Sequence, residues 1–300
     1  MTTITQNIAT PSLPVSSWQA NLALVLSYGD RGSRLTRNRH SGPLYVQKPF
    51  YPEGKDCAHI YLLHPPGGLV SGDTLDTYIC LNSQAHGLVT TPGAAKMYKA
   101  RPDEAIQRQN TVLEINNNAI LEWFPMEAIV YPGALAELRT TIALTDNSHF
   151  IGWELSCFGL PASEAAFKQG QFKQQYRIEK NGIPIFMDSL NVIANSETDE
   201  NLLLSGQAGM QSQTISGFFV AGPFEFSQSE KNDLLERLRD KILAAHQEKT
   251  IAVTYVNTLI VIRYLGKSAY VARQSFILLW EIIRPLLIGR KACSPRIWLT

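Results

Sequence analysis

Two sets of side chains in this sequence have types and spacings that could do chemistry. Cys57, His59 and His64 are the only local cluster of soft or borderline metal ligands. Thiolate and imidazole both suit nickel or zinc. On a strand, Cys57 and His59 would share a face, while His64 would fall at the next bend. The spacing matches no closed four-ligand site, and a hydrogen-bonded core histidine is the competing reading. The second set is acidic. Glu122 and Glu127 bracket Trp123-Phe124-Pro125-Met126, Glu154 follows Trp153, and Asp73 ends a glycine-rich stretch. Carboxylates set among aromatic residues are either partly buried with raised pKa or line a cavity, where their oxygens could pass a divalent cation along. The alternative is plain solvent exposure at strand ends.

Other reactive constellations are missing. Gly67-Gly68-Leu69-Val70-Ser71-Gly72-Asp73 has the G-x4-G spacing of a phosphate loop. A Walker loop continues with Lys and Ser or Thr, whereas this chain has Asp73 and Thr74. A carboxylate there repels a triphosphate, so a tight glycine turn between strands is expected. No G-x-S-x-G elbow, HExxH or dinucleotide glycine set occurs. Cys157 has no base near it in sequence and reads as a buried, inert thiol. These absences favour a binding or scaffold role over an enzyme. A β-rich hydrolase using Asp73 or Cys157 and a plain interaction module remain the alternatives.

The elements that must position these residues are mostly strands. Leu138, Thr140, Ile142 and Leu144 alternate, Asp146-Asn147-Ser148 turns the chain, and Ile151, Trp153, Leu155 and Cys157 alternate again. Asn181-Gly182 between Phe172–Ile178 and Ile183–Met187 is a strong hairpin signal. No βαβ alternation appears, which excludes a doubly wound sheet. The last quarter differs. Ser227 and Glu230 form a capping box, after which Leu234, Leu235, Leu238, Ile242 and Ala245 trace a helical face. Two strands are expected at 251–256 and 258–264, then a second helix from Ser268 to Pro285 or Ile288. That helix is apolar most of the way round. Phe276, Leu279, Trp280, Ile283 and Leu287 form one stripe; Ile277, Leu278, Ile282 and Leu286 cover the other side and are expected to meet a partner.

Composition bounds the class. The 300 residues carry 27 basic and 26 acidic side chains, a net charge of +1, so no global field argues for nucleic acid or anionic lipid. Only 18% of residues are charged, which suggests surface meant to be covered. The four cysteines form no disulfide framework. No stretch has the length of a membrane span or the make-up of a signal peptide. The expectation is a soluble, reduced, cytoplasmic protein: a flexible tail over 1–16 and one β-dominated body over 17–300.

Several strings are specific together. Gly42-Pro43-Leu44-Tyr45-Val46-Gln47-Lys48-Pro49-Phe50-Tyr51-Pro52-Glu53-Gly54 resembles the urease accessory protein D family, also called H. So do Cys57-Ala58-His59-Ile60-Tyr61-Leu62-Leu63-His64-Pro65-Pro66-Gly67-Gly68, Thr90-Thr91-Pro92-Gly93-Ala94-Ala95-Lys96 and Leu121-Glu122-Trp123-Phe124-Pro125. Gly152-Trp153-Glu154, Gly159-Leu160-Pro161-Ala162, Arg284-Pro285 and the ending Pro295-Arg296-Ile297-Trp298-Leu299-Thr300 continue the likeness in order from about residue 34. Ser71 stands where the family often has glycine, and Lys99-Ala100 where it often has Arg-Ser.

The resemblance implies a mainly β fold, a helix-like wrap of sheets with two α-helices near the C-terminus. It implies a non-enzymatic chaperone that binds the urease apoprotein. Accessory proteins F and G complete the complex, G being the GTPase, and a separate protein E brings nickel to it. Nickel is then transient cargo conducted through an internal path, with no tightly bound cofactor. On this reading Asp73, Glu122, Glu127 and Glu154 are the candidate path, with Cys57, His59 and His64 weaker candidates. The face of Ile277, Leu278, Ile282 and Leu286 is the candidate contact with protein F.

Overall fold

The structure, a computed structural model, describes residues 17–195 and 202–299. The expected tail over 1–16 lies outside the described residues. The chain opens with the hairpin β1 (Gln19–Gly29) and β2 (Gly32–Ser41). It then winds in coils. One holds β3 (Tyr45–Val46), β4 (Ala58–Leu63) and β5 (Gly68–Leu69), and the next holds β6 (Thr74–Leu81), β7 (His86–Thr90) and β8 (Ala95–Met97). A third holds β9 (Gln107–Ile115), β10 (Ile120–Phe124) and β11 (Ala128–Val130). The last comprises β12 (Leu135–Leu144) and β13 (His149–Phe158), before the hairpin β14 (Gly170–Lys180) and β15 (Ile183–Ala194).

Successive coils stack in parallel. β1, β6, β9, β12 and β14 form one sheet and β4, β7, β10 and β13 a second. Parallel neighbours need a crossover, usually a helix. Here the crossover of each sheet is a strand of the other. That explains the absence of βαβ alternation and confirms the wrapped, mainly β class. The Asn181-Gly182 turn takes φ of 52° and 77°, the left-handed pair a two-residue hairpin turn requires.

The remaining elements cover the second sheet. After α1 (Leu202–Ser205), β16 (Ile215–Gly222) pairs antiparallel with β13. α2 (Gln228–Ala244) carries the expected capping box, and β17 (Ile251–Val256) and β18 (Leu259–Gly266) extend the sheet. α3 (Ala269–Ile288) runs through Pro285 to the left-handed Gly289. Two cores result. One lies between the two sheets; the other joins the outer face of the second sheet to α2 and α3. β13 is therefore buried on both faces. Ile151, Trp153, Leu155 and Cys157 point to the helices, while Phe150 and Phe158 point between the sheets. Around Trp153 gather Phe124, Phe219, Phe276 and the C-terminal Trp298, with Phe124 stacked at 4.0 Å.

A buried ionic lock fastens α3 to the wrap. Arg284 is fully buried, and all five of its N–H donors are used. Its Nε donates to Glu122 Oε2 at 2.9 Å and its Nη2 to Glu122 Oε1 at 2.9 Å. Nη1 and Nη2 donate to the two oxygens of Glu53 at 2.8 Å, and Nη1 also meets the Lys291 carbonyl. His86 Nε2 lies 2.8 Å from Glu122, His59 Nε2 lies 2.8 Å from Glu53, and Trp280 Nε1 donates to Glu122 at 2.8 Å. Arg290, 3.6 Å from Glu53, brings a second cation for the second carboxylate. Burial pushes the Glu53 carboxyl up, but hydrogen bonds from His59 and Arg284 and the Arg284 charge outweigh it and hold the pKa at about 2. Glu122 is likewise held below its ordinary value, burial being overcome by His86 and Arg284.

Arg284→Met keeps most of the volume but strands two buried carboxylates, and should cost about 3–5 kcal/mol in urea unfolding. Because Glu53 is more acidic folded than unfolded, its stabilisation is present above the unfolded pKa and is lost as pH falls towards about 2. The acid limb of the stability–pH curve should flatten in the Arg284→Met variant; an unchanged limb would show that the lock is not its source.

Candidate functional site

Period-two alternation separates the carboxylates expected along one route. In the register of β10 with β13, Glu122 lies opposite Ile151 and Trp123 opposite Gly152. Glu122 and Trp153 therefore face α3, while Trp123 and Glu154 face the space between the sheets. Glu122 is part of the Arg284 lock. Glu127 follows β10 and stands 3.6 Å from Arg273 of α3. Asp73 is spent on local backbone: Oδ2 accepts from Val70 N at 2.9 Å and Oδ1 from Trp18 N at 2.8 Å. Of the four, Glu154 alone lines the cavity described below, so a single row of carboxylates is not what the fold builds.

The soft ligands are also divided. Cys57 and His59 are both buried and close to Glu53, and Cys57 is equally close to His86 and Glu122. These groups surround the guanidinium of Arg284, so a divalent cation would have to displace it from both carboxylates. Burial, then the charges of Glu122 and Glu53, push the Cys57 thiol well above its ordinary pKa, which disfavours the thiolate a soft metal needs. The cluster acts as a structural lock. Glu53, His86 and Arg284 were not singled out from the sequence as its members. One signal was available: an arginine inside an otherwise apolar helix must find a buried partner. His64 goes elsewhere, to the cavity, where burial lowers its pKa against the opposing charge of Asp73.

The cavity lies between the two sheets and has a volume of about 200 Å³. One wall carries Thr77 of β6, Gln109 and Thr111 of β9, Thr140 of β12 and Gln174 of β14 among leucines such as Leu75 and Leu138; the other carries Trp123, Ala128 and Glu154. At one end stand His64, Gly67, Met126 and the Thr91–Ala95 segment, of which Pro92 and Gly93 are exposed. Two Pro-Gly strings far apart in sequence thus meet at its mouth. Thr91 Oγ1 accepts from Met126 N at 2.9 Å, tying the rim to the end of β10.

Glu154 is the one acid of this cavity. Its carboxylate accepts from Thr140 Oγ1 and from Gln174 Nε2, each at 2.6 Å. Both partners are neutral. Burial pushes its pKa up, and hydrogen bonding by Thr140, Gln174 and Trp123 opposes that only in part. Carboxylate and hydroxyl oxygens are harder ligands than the imidazole or thiolate that borderline metals favour.

The remaining candidates for chemistry stay bland. Val70 N–H, which a phosphate loop would aim at its ligand, is held by Asp73, and Gly67 and Gly72 take φ of 72° and 82° as turn glycines. A Cβ on Gly68 would meet the Tyr98 ring at 2.5 Å. This is the tight turn expected from the sequence. The Cys157 thiol is pushed up to about 12 by burial and by the Glu127 charge, so it is no nucleophile at neutral pH. No helix among the described residues is long and apolar enough to cross a membrane.

The sequence that builds these parts, from the β1–β2 hairpin to the C-terminal turn, resembles known proteins over nearly its whole length. The family described as UreD urease accessory protein matches residues 19–299. A urease accessory protein UreD of Marinomonas sp. (strain MWYL1) is 42% identical over 97% of this chain and 92% of its own length. That of Psychromonas ingrahamii is 41% identical over 96% of each, and that of Alcanivorax borkumensis 37% over 94% of this chain and 92% of its own length. With the match running through the wrap, the lock and the closing helix alike, the chain belongs to the UreD family of urease accessory proteins.

Proposed function

We propose that this protein is a non-enzymatic chaperone of urease maturation. It binds the urease apoprotein in the cytoplasm and, with accessory proteins F and G, lets nickel reach the urease active site as transient cargo. Protein E supplies the ion to the complex, and GTP hydrolysis belongs to protein G. The observation that carries the reading is Glu154, a half-buried carboxylate with neutral partners, facing a largely apolar cavity into which threonine and glutamine side chains bring hydroxyl and amide groups. A group so expensive to bury is retained where it meets a cation. The occupied glycine turn supports leaving GTP to a partner. The rival hydrolase reading loses both proposed nucleophiles, Asp73 to backbone hydrogen bonds and Cys157 to its high pKa.

The partner face narrows on α3. Ile277 and Ile282 are half-buried and pack against the core under the helices. Leu286 is 43% exposed, Tyr270 is 64% exposed, and Leu278 is half-buried outside both cores. Leu278, Ile282 and Leu286 follow one another at four-residue spacing along one row within about 80° of each other, while Tyr270 lies well round the helix from Leu286. We assign the contact with protein F to the row of Leu278, Ile282 and Leu286, with Ile277 beside it.

Co-expression of the urease operon with and without this gene tests the role: loss of both urease activity and its nickel supports it, and full nickel without the gene overturns it. Glu154→Ala should lower the nickel content of urease several-fold while the complex is still recovered. Glu122→Ala should instead destabilise the chain, because it opens the lock. Leu286→Asp should weaken co-purification of protein F without lowering thermal stability, whereas Ile282→Asp should lower both; normal recovery with Leu286→Asp would move the contact elsewhere. A GTP titration of the isolated chain should show no binding.

A further inference from the structure

The cavity wall opposite Glu154 has a regularity that the carboxylate alone does not explain. Thr77 lies opposite Thr111 in the β6–β9 register, and Thr111 opposite Thr140 in the β9–β12 register. The three threonines are 7%, 2% and 5% exposed, and all line the cavity. Thr140 donates to Glu154. Among the described residues, neither Thr77 Oγ1 nor Thr111 Oγ1 has a hydrogen-bond partner. Both belong to buried residues, and two hydroxyls in register that open onto one cavity roomy enough for water are satisfied by what that cavity contains.

We infer that Thr77, Thr111 and Thr140 form a hydroxyl row that holds a divalent cation through its hydration water and hands it to Glu154. The inference rests on the reading of this cavity as the nickel passage. Strand spacing selects water-mediated contact. Hydroxyls on adjacent strands recur about every 4.8 Å. Two oxygens bound directly to one small divalent cation at about 2.1 Å each can be no more than about 4.2 Å apart. With a water between the ion and each hydroxyl, two hydroxyls can stand up to about 9.8 Å apart, so the rung is spanned. The row therefore lets the ion keep most of its water. A small divalent cation dehydrates reluctantly, so this lowers the barrier to movement.

The test uses the full chain in complex with urease apoprotein and purified accessory proteins, with nickel chloride and GTP, reading nickel per urease by atomic absorption over time. Thr77→Val with Thr111→Val removes both hydroxyls at nearly constant shape. It should slow loading roughly tenfold, the effect expected of losing such contacts, with the complex recovered and the melting temperature not lowered. Thr77→Ser with Thr111→Ser should load at the wild-type rate. Ala94→Trp, at the mouth, serves as a plug. Normal loading by the Val pair alongside slow loading by the plug overturns the hydroxyl row and leaves the passage intact. Slow loading by the Ser pair also overturns it, since shape rather than hydroxyl would then matter. Normal loading by all three variants overturns the passage itself. Should the Val pair lose the complex, Thr111→Ala alone decides by the same readout.

Discussion

Arg284 is the group on which the rest of the structure depends. A guanidinium with no exposure is tolerable only if every donor is met and its charge is balanced, and here two carboxylates from distant parts of the wrap do both. Glu53 comes from the segment before β4 and Glu122 from β10, so one side chain of α3 clamps two coils at once. The histidines, Trp280 and Arg290 complete the set. Hydrophobic packing of α3 against the second sheet would tolerate small slides of the helix; five directed bonds would not. The lock gives the helix one position, and that position sets which of its apolar side chains remain outside.

The same lock removes ligands from metal chemistry. Cys57, His59 and His86 sit within reach of carboxylates, the usual composition of a borderline-metal site. Their electrostatics point the other way, because a resident cation already neutralises the acids and the thiol is held protonated. The contrast with Glu154 is instructive. Both glutamates sit on the same sheet, Glu122 fully buried and Glu154 half-buried, yet Glu122 is held below its ordinary pKa by cationic partners, and Glu154 is raised because burial acts on it with only neutral partners to oppose it. An acid already paired stabilises the fold, while an unpaired one facing a cavity has capacity left for a cation.

A parallel wrap without crossover helices also explains why this site exists. Each coil contributes one strand to each sheet, so like side chains stack in register across coils, and polar rows such as Thr77–Thr111–Thr140 arise without neighbouring in sequence. The Pro-Gly turns between coils gather at the cavity mouth for the same reason. Coils differ in length, which is why no fixed period marks them in the sequence.

Local features were legible from the residues. The alternations of β12 and β13, the Asn181-Gly182 hairpin, the capping box of α2, the Ser268 start of α3 and the glycine turn all follow from short-range sterics and hydrogen bonding. The missing Walker lysine was equally plain, and the ordered strings indicated the family. Pattern along one strand says that Glu122 and Trp123 take opposite sides, but not which side is the cavity. That depends on the pairing of β10 with β7 and β13, residues 29 or more positions away in sequence, and on which face α3 covers. Arg284 could be read as needing a partner, but its partners lie 231 and 162 residues away. Burial and charge pairing are properties of the assembled fold, so only the tertiary structure could separate the acid that locks the helix from the acid that faces the cavity.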